Sequence, residues 1–187
     1  MNRYDTLVKI LDELRKEAPI EYKTYYPEDT NIEGLNKARS KAFIHLFLKA
    51  MYGIEKFDDR ESYITDDSYD GGIDAYYIDE ESKEVIFIQS KFRTTKANFE
   101  NKEIEYDELL SMDIDRIVEG ENTDEDNNSY NNKILRMQKK IQEIDDIGRY
   151  NYKVIILANL KEKKNKYIKK LTGGFAGDIF NFSRWDR

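Results

Sequence analysis

The chain contains no cysteine, a single histidine, two prolines and no long apolar run among its 187 residues. Without cysteine there is no disulfide framework, no thiolate zinc site and no cysteine nucleophile. With His45 as the lone imidazole, histidine-based metal cages are excluded and nothing supports a serine-histidine triad. The apolar runs fall far short of the roughly 18 residues of a membrane span, and residues 1–30 lack the pattern of a signal peptide. A soluble, cytoplasmic protein with no membrane contact is expected.

What is present is charge. Acidic residues number 38 against 31 basic ones, a net of −7, and hydrophobic residues make up 39%. Leu, Ile, Val and Phe still exceed the roughly 20% below which chains tend to be disordered, so a real core is expected. The length fits one domain of about 100–200 residues. An acidic chain is a poor nucleic-acid binder unless its basic residues cluster locally.

Tyr4, Leu7, Val8, Leu11 and Leu14 recur at helical spacing and predict an amphipathic helix over 3–17. Pro19 and Pro27 hold a non-helical connection. Thr30-Asn31-Ile32-Glu33 has the form of a capping box that opens a second helix, apolar from Leu35 to Met51 and stopped by Gly53. The charged stretch 55–60 reads as a connection. From Ser62 the period changes. Tyr63–Thr65 reads as a short strand, Gly72–Asp79 as a second and Glu84–Phe92 as a third, with Glu80-Glu81-Ser82-Lys83 as a hairpin turn.

Residues 98–119 and 133–147 return to helical period and stop at Gly120 and Gly148. Between them, Glu121–Asn132 is expected to be a solvated, mobile loop. Tyr152–Asn159 reads as a buried strand and Lys161–Leu171 as a basic helix. The aromatic tail from Phe175 packs on the core, adds a strand or leads into a longer chain. The order predicts an α/β fold with helices around one mixed sheet. If the strands ending at Phe92 and spanning 152–159 are neighbours, they run parallel by a right-handed crossover. One domain is expected over 1–187: an N-terminal helix and connection (1–30), a core (31–171) and a tail (172–187).

A two- or four-residue turn centred on Glu81-Ser82 places Asp74 opposite Gln89. Alternation puts Gln89 and Lys91 on one face of their strand, with Asp74 joining from the neighbour. A three- or five-residue turn would break this cluster. A carboxylate, an amide and an ammonium at the end of an apolar hairpin are costly unless something binds them. Gly71 and Gly72 permit a bulge or close backbone approach, and a phosphodiester with a divalent metal suits the opening. The alternative is a solvent-facing edge hairpin whose lysine discourages aggregation.

Asp70-Gly71-Gly72-Ile73-Asp74 followed by Gln89-Ser90-Lys91 resembles the PD-(D/E)xK nuclease superfamily, most closely its Mrr-like restriction endonuclease branch. The fuller strings DGGIDAYYID and VIFIQSKF look most like the N-terminal nuclease domain of the abortive-infection phage-resistance (AIPR) family. The resemblance implies an αβββαβ restriction-endonuclease-like core, a mixed central sheet flanked by helices, and metal-dependent hydrolysis of phosphodiester bonds in antiphage defence. By that resemblance Asp74, the Gln89 side chain and the Ser90 backbone carbonyl ligate Mg²⁺ or Mn²⁺. Lys91 orients or activates water and stabilises negative charge. Glutamine in place of the family's usual glutamate removes one charge and weakens metal affinity unless a substrate phosphate supplies a ligand. Proteins of the AIPR family are longer, which implies the N-terminal part of a longer protein or a shortened relative.

The superfamily commonly adds an acid from the helix before the sheet; Glu33 is the candidate, and the capping box is its other role. Asp70 is either a turn residue or a further metal ligand. His45, on a helix flank, is expected to be packed rather than catalytic. Lys161, Lys163, Lys164, Lys166, Lys169 and Lys170 form a basic stripe suited to nucleic-acid phosphate, DNA more than RNA, or simply a solvated face. Lys133, Arg136, Lys139 and Lys140 form a second basic group. Asp124–Asn128 lacks the glycine and closing glutamate of a calcium loop. A catalytically silent nucleic-acid-binding or interaction module, or a scaffold, is the alternative to a nuclease that works as a homodimer. Lacking thiols and all but one imidazole, the chain holds a catalytic metal only through oxygen, which favours Mg²⁺ or Mn²⁺ over zinc.

Overall fold

The computed structural model describes residues 2–101, 109, 111–158, 172 and 176–180. The chain divides into two compact units: Met1–Ser62 with Ser90–Glu103, and Tyr63–Gln89 with Ile104–Arg187.

The first unit is helical, with α1 (Arg3–Leu14), α2 (Ile32–Tyr52), α3 (Phe57–Glu61) and α4 (Lys96–Asn101). Leu7, Leu11 and Leu14 form the buried stripe of α1, which continues into a 3-10 turn over Arg15–Glu17. The cap of α2 is Asn31 rather than Thr30: its side chain accepts from Gly34 N, while Glu33 reaches forward to Lys37 and the expected capping box does not form. Gly53 ends the helix at φ +65°, as expected. The stretch 55–60, read as a connection, contributes most of α3 because Phe57 and Arg60 are buried and draw it into the core.

His45 is packed, as expected, at 1% exposure. Its ring stacks on Phe57 at 4.7 Å between centroids. Arg60 Nε donates to His45 Nδ1 at 3.1 Å, which leaves the proton on Nε2, 3.0 Å from Glu61 Oε2. The Tyr25 hydroxyl donates to the same Glu61 oxygen. Burial pushes the His45 pKa down and keeps the ring neutral.

The second unit carries β1 (Ala75–Asp79), β2 (Glu84–Lys91), β3 (Asn151–Ala158) and β4 (Ala176–Phe180), with β2 running across the unit boundary at its last two residues, and α5 (Ile114–Val118) and α6 (Asn132–Gln142). The sheet order is β1-β2-β3-β4. β1 and β2 pair antiparallel from Ala75↔Ile88 to Asp79↔Glu84, the register expected from a four-residue turn. In that turn the Asp79 carboxylate accepts from Glu81 N and Ser82 N. Asn151 N donates to Lys83 O at 2.9 Å, so β2 and β3 start side by side and run parallel. β4 lies parallel to β3, with Lys153 opposite Ala176, so part of the tail adds a strand. The expected strand Tyr63–Thr65 is reduced to one bridge, Ile64↔Ala75.

Tyr76, Val85, Phe87, Val154 and Ile156 pack with Ile114, Ile117, Ile134, Met137 and Ile141, so α5 and α6 cover one sheet face. The helix expected over 98–119 is not continuous. Ser111–Asp113 are non-helical because Asp113 N donates instead to Gly71 O. α6 ends at Gln142, short of 147, and gives way to turns and a 3-10 segment at Ile147–Arg149. The solvated loop expected over Glu121–Asn132 contains a hydrogen-bonded turn. Thr123 bridges Ser129, and the Asp124 carboxylate accepts from the amides of Asp126 and Asn128 at 2.9 and 2.8 Å. The basic helix expected over 161–171, with its six lysines, lies outside the described residues. Among those residues, no helix is long and apolar enough to cross a membrane.

Candidate metal centre

The chain between Ile64 and Ala75 leaves the edge of β1 and returns to it. Thr65 N and Asp66 N both donate to Asp74 O, at 2.9 and 3.0 Å, closing the base of this loop. The closure sets Asp66 beside Asp74. At the tip, Asp70 Oδ1 accepts from Gly72 N at 2.9 Å, a local turn typical of aspartate. Gly71 and Gly72 follow at φ +61° and +73°, the left-handed region that favours glycine. A Cβ on Gly72 would lie 2.5 Å from Ser111 O, so this turn also needs the close backbone approach that glycine allows.

One carboxylate oxygen from each of Asp66, Asp70 and Asp74 lies within 4.8 Å of the other two, and all three side chains are half-buried. Three carboxylate oxygens this close together would suit one hard divalent cation such as Mg²⁺, with Asp66, Asp70 and Asp74 as the residues to hold it. The donor set is all oxygen, which fits a hard cation. Burial pushes the Asp70 carboxyl up to about 6; the charges of Asp66 and Asp67 push the same way, against the Gly72 and Asp67 amides. A cation in the cluster would relieve both the burial cost and the repulsion.

Gln89 is 4% exposed, and its Nε2 donates to Gly72 O at 2.9 Å. That bond anchors the amide to the glycine turn through the nitrogen, the end opposite the oxygen that the resemblance expects to bind metal. The β1–β2 ladder stops at Ala75, one pair short of Asp74 and Gln89, and Asp74 N donates to Ile88 O at 2.9 Å. Asp74, Asp70 and Gln89 are thus gathered around one turn. Ser90 is half-buried, and Lys91 is exposed at the end of β2, two residues past Gln89. Glu33 belongs to the helical unit, where its side chain is 80% exposed and sits 2.9 Å from Lys37 Nζ. The acid that sequence reasoning missed is Asp66. Its signal was an acidic residue directly after Tyr63–Thr65, which counts only once the Ile64↔Ala75 register is known.

No family model, curated protein or solved structure matches the chain.

Proposed function

We propose that this chain is a metal-dependent nuclease domain that hydrolyses phosphodiester bonds, of DNA before RNA, and that it serves antiphage defence as its resemblance to the AIPR family implies. The observation that carries the reading is the convergence of Asp66, Asp70 and Asp74 at a glycine turn tied to Gln89, on a strand that continues to Lys91. The bridged segment at Ile64, the β1–β2 hairpin and the parallel β3 support the finer αβββαβ topology.

When bound, Mg²⁺ or Mn²⁺ polarises a phosphoryl oxygen and lowers the pKa of water at the site. Asp66, Asp70 and Asp74 would hold it through carboxylate oxygens, and the family resemblance adds the Gln89 amide oxygen and the Ser90 carbonyl as further donors. Asp66 supplies the negative charge that glutamine at 89 does not, and it takes the part expected of Glu33. Lys91 offers an ammonium to orient water and offset charge on the phosphate as it is attacked.

Incubating plasmid, linear and single-stranded DNA, and RNA, with Mg²⁺ or Mn²⁺ tests the reading. Cleavage by the wild type that needs metal and falls at least about 100-fold in Asp74→Ala and Lys91→Ala is expected. Equal cleavage by wild type and variants overturns it. Binding without cleavage by a well-folded wild type points to the silent module instead.

A further inference from the structure

We propose that Asn131 is a positioning residue for the aspartate loop, spending the two ends of one amide on two tasks; this rests on reading that loop as a cation site. The oxygen end caps α6. Asn131 Oδ1 accepts from Lys133 N and Ile134 N at 2.9 and 3.0 Å. The nitrogen end faces the loop: Nδ2 donates to Thr65 O at 3.3 Å and to Ser68 O at 3.2 Å. The backbone N of the same residue donates to Tyr69 O at 3.0 Å. Three loop carbonyls, two of them adjoining Asp66 and Asp70 in sequence, are therefore referenced to one residue.

That residue is itself fixed, because α6 is buried through Ile134, Met137 and Ile141. The loop needs such a reference for two reasons. Tyr69 holds φ +59°, a left-handed conformation that a bulky side chain keeps only when its surroundings impose it. Asp66, Asp70 and Asp74 bring three carboxylates within 4.8 Å of one another, and their mutual repulsion in the absence of a cation works against that closeness. Clamping the carbonyls at 65, 68 and 69 keeps the carboxylates within reach of a single ion. Asparagine suits both tasks. Serine and aspartate cap helices comparably, but serine has no donor long enough to reach the loop and aspartate has no donor at all.

Serine and alanine at 131 separate the two roles: both remove the side-chain bonds to Thr65 O and Ser68 O and keep the backbone bond to Tyr69 O, and only alanine removes the cap. The readouts are Mn²⁺ affinity by electron paramagnetic resonance, amide hydrogen exchange of Asp66–Tyr69 and urea unfolding, all on the full chain. Both Asn131→Ser and Asn131→Ala are expected to weaken Mn²⁺ binding about 10-fold and to speed exchange in the loop. Urea stability is expected to fall clearly only in the alanine variant. A residue that only caps α6 would give wild-type Mn²⁺ affinity and loop exchange in Asn131→Ser, and that result overturns the proposal. If the wild type binds no Mn²⁺, the cation reading fails by itself. The clamp is then decided by exchange alone: faster in Asn131→Ser upholds it, unchanged overturns it.

Discussion

Asp70 and His45 are both half-hidden or hidden titratable groups, and burial moves them in opposite directions. The Asp70 carboxyl, pushed up from 3.8 to about 6, holds its proton more tightly in the folded chain than in the unfolded one. That stabilisation is full below pH 3.8 and is lost as pH rises through about 6. Asp70→Asn keeps the shape without the charge. In metal-free buffer it should match wild type in urea unfolding near pH 4 and exceed it by about 1–3 kcal/mol at pH 7.5. Excess Mn²⁺ should reverse that order. His45 behaves the other way: its folded pKa lies below the usual 6.5, so its contribution is full above pH 6.5 and is lost as pH falls through the folded value. In the Asp70→Asn background, acidification from pH 7 should therefore lower stability, because a proton on Nδ1 would face the Arg60 N–H.

At the scale of elements, the glycine turn and the hairpin decide the site. Gly72→Ala adds a Cβ 2.5 Å from a backbone carbonyl at φ +73°. It should cost about 2–4 kcal/mol in urea unfolding, whereas Gly53→Ala, left-handed but with nothing within 4 Å, should cost only about 1. The hairpin register was legible because Glu80–Lys83 is a short polar turn between runs of β-formers, which leaves few pairings. Helix continuity through Ser111–Asp113 was not legible: the apolar period persists there while the backbone is committed to Gly71. The shift of the α2 cap from Thr30 to Asn31 was equally hidden, since both residues cap well. Asp66 stayed hidden because a long loop, unlike a tight turn, does not fix its own register.

For the whole molecule, the α/β order followed from the alternation of helical and strand periods, and His45 and the sheet core lie where those periods put them. The division into two units left no trace in composition. β2 runs unbroken across the boundary at Gln89–Ser90, so no glycine- or proline-rich linker marks it. A chain of net charge −7 binds nucleic acid only through local basic surface. On the proposed nuclease reading, neutralising the six lysines between 161 and 170 to glutamine should weaken DNA binding and flatten the slope of log affinity against log salt. The Mn²⁺ affinity of the isolated protein should stay at the wild-type value.

The central claim is that one loop of three aspartates holds a divalent cation. Mn²⁺ titration of the full chain at pH 7.5, followed by electron paramagnetic resonance, tests it most directly. Wild type and Glu33→Gln should bind alike, and Asp70→Asn and Asp74→Asn should each weaken binding by about 10-fold or more. A wild type that leaves the free-ion signal undiminished, or an Asp66→Asn, Asp70→Asn, Asp74→Asn triple variant that binds as wild type does, would contradict it.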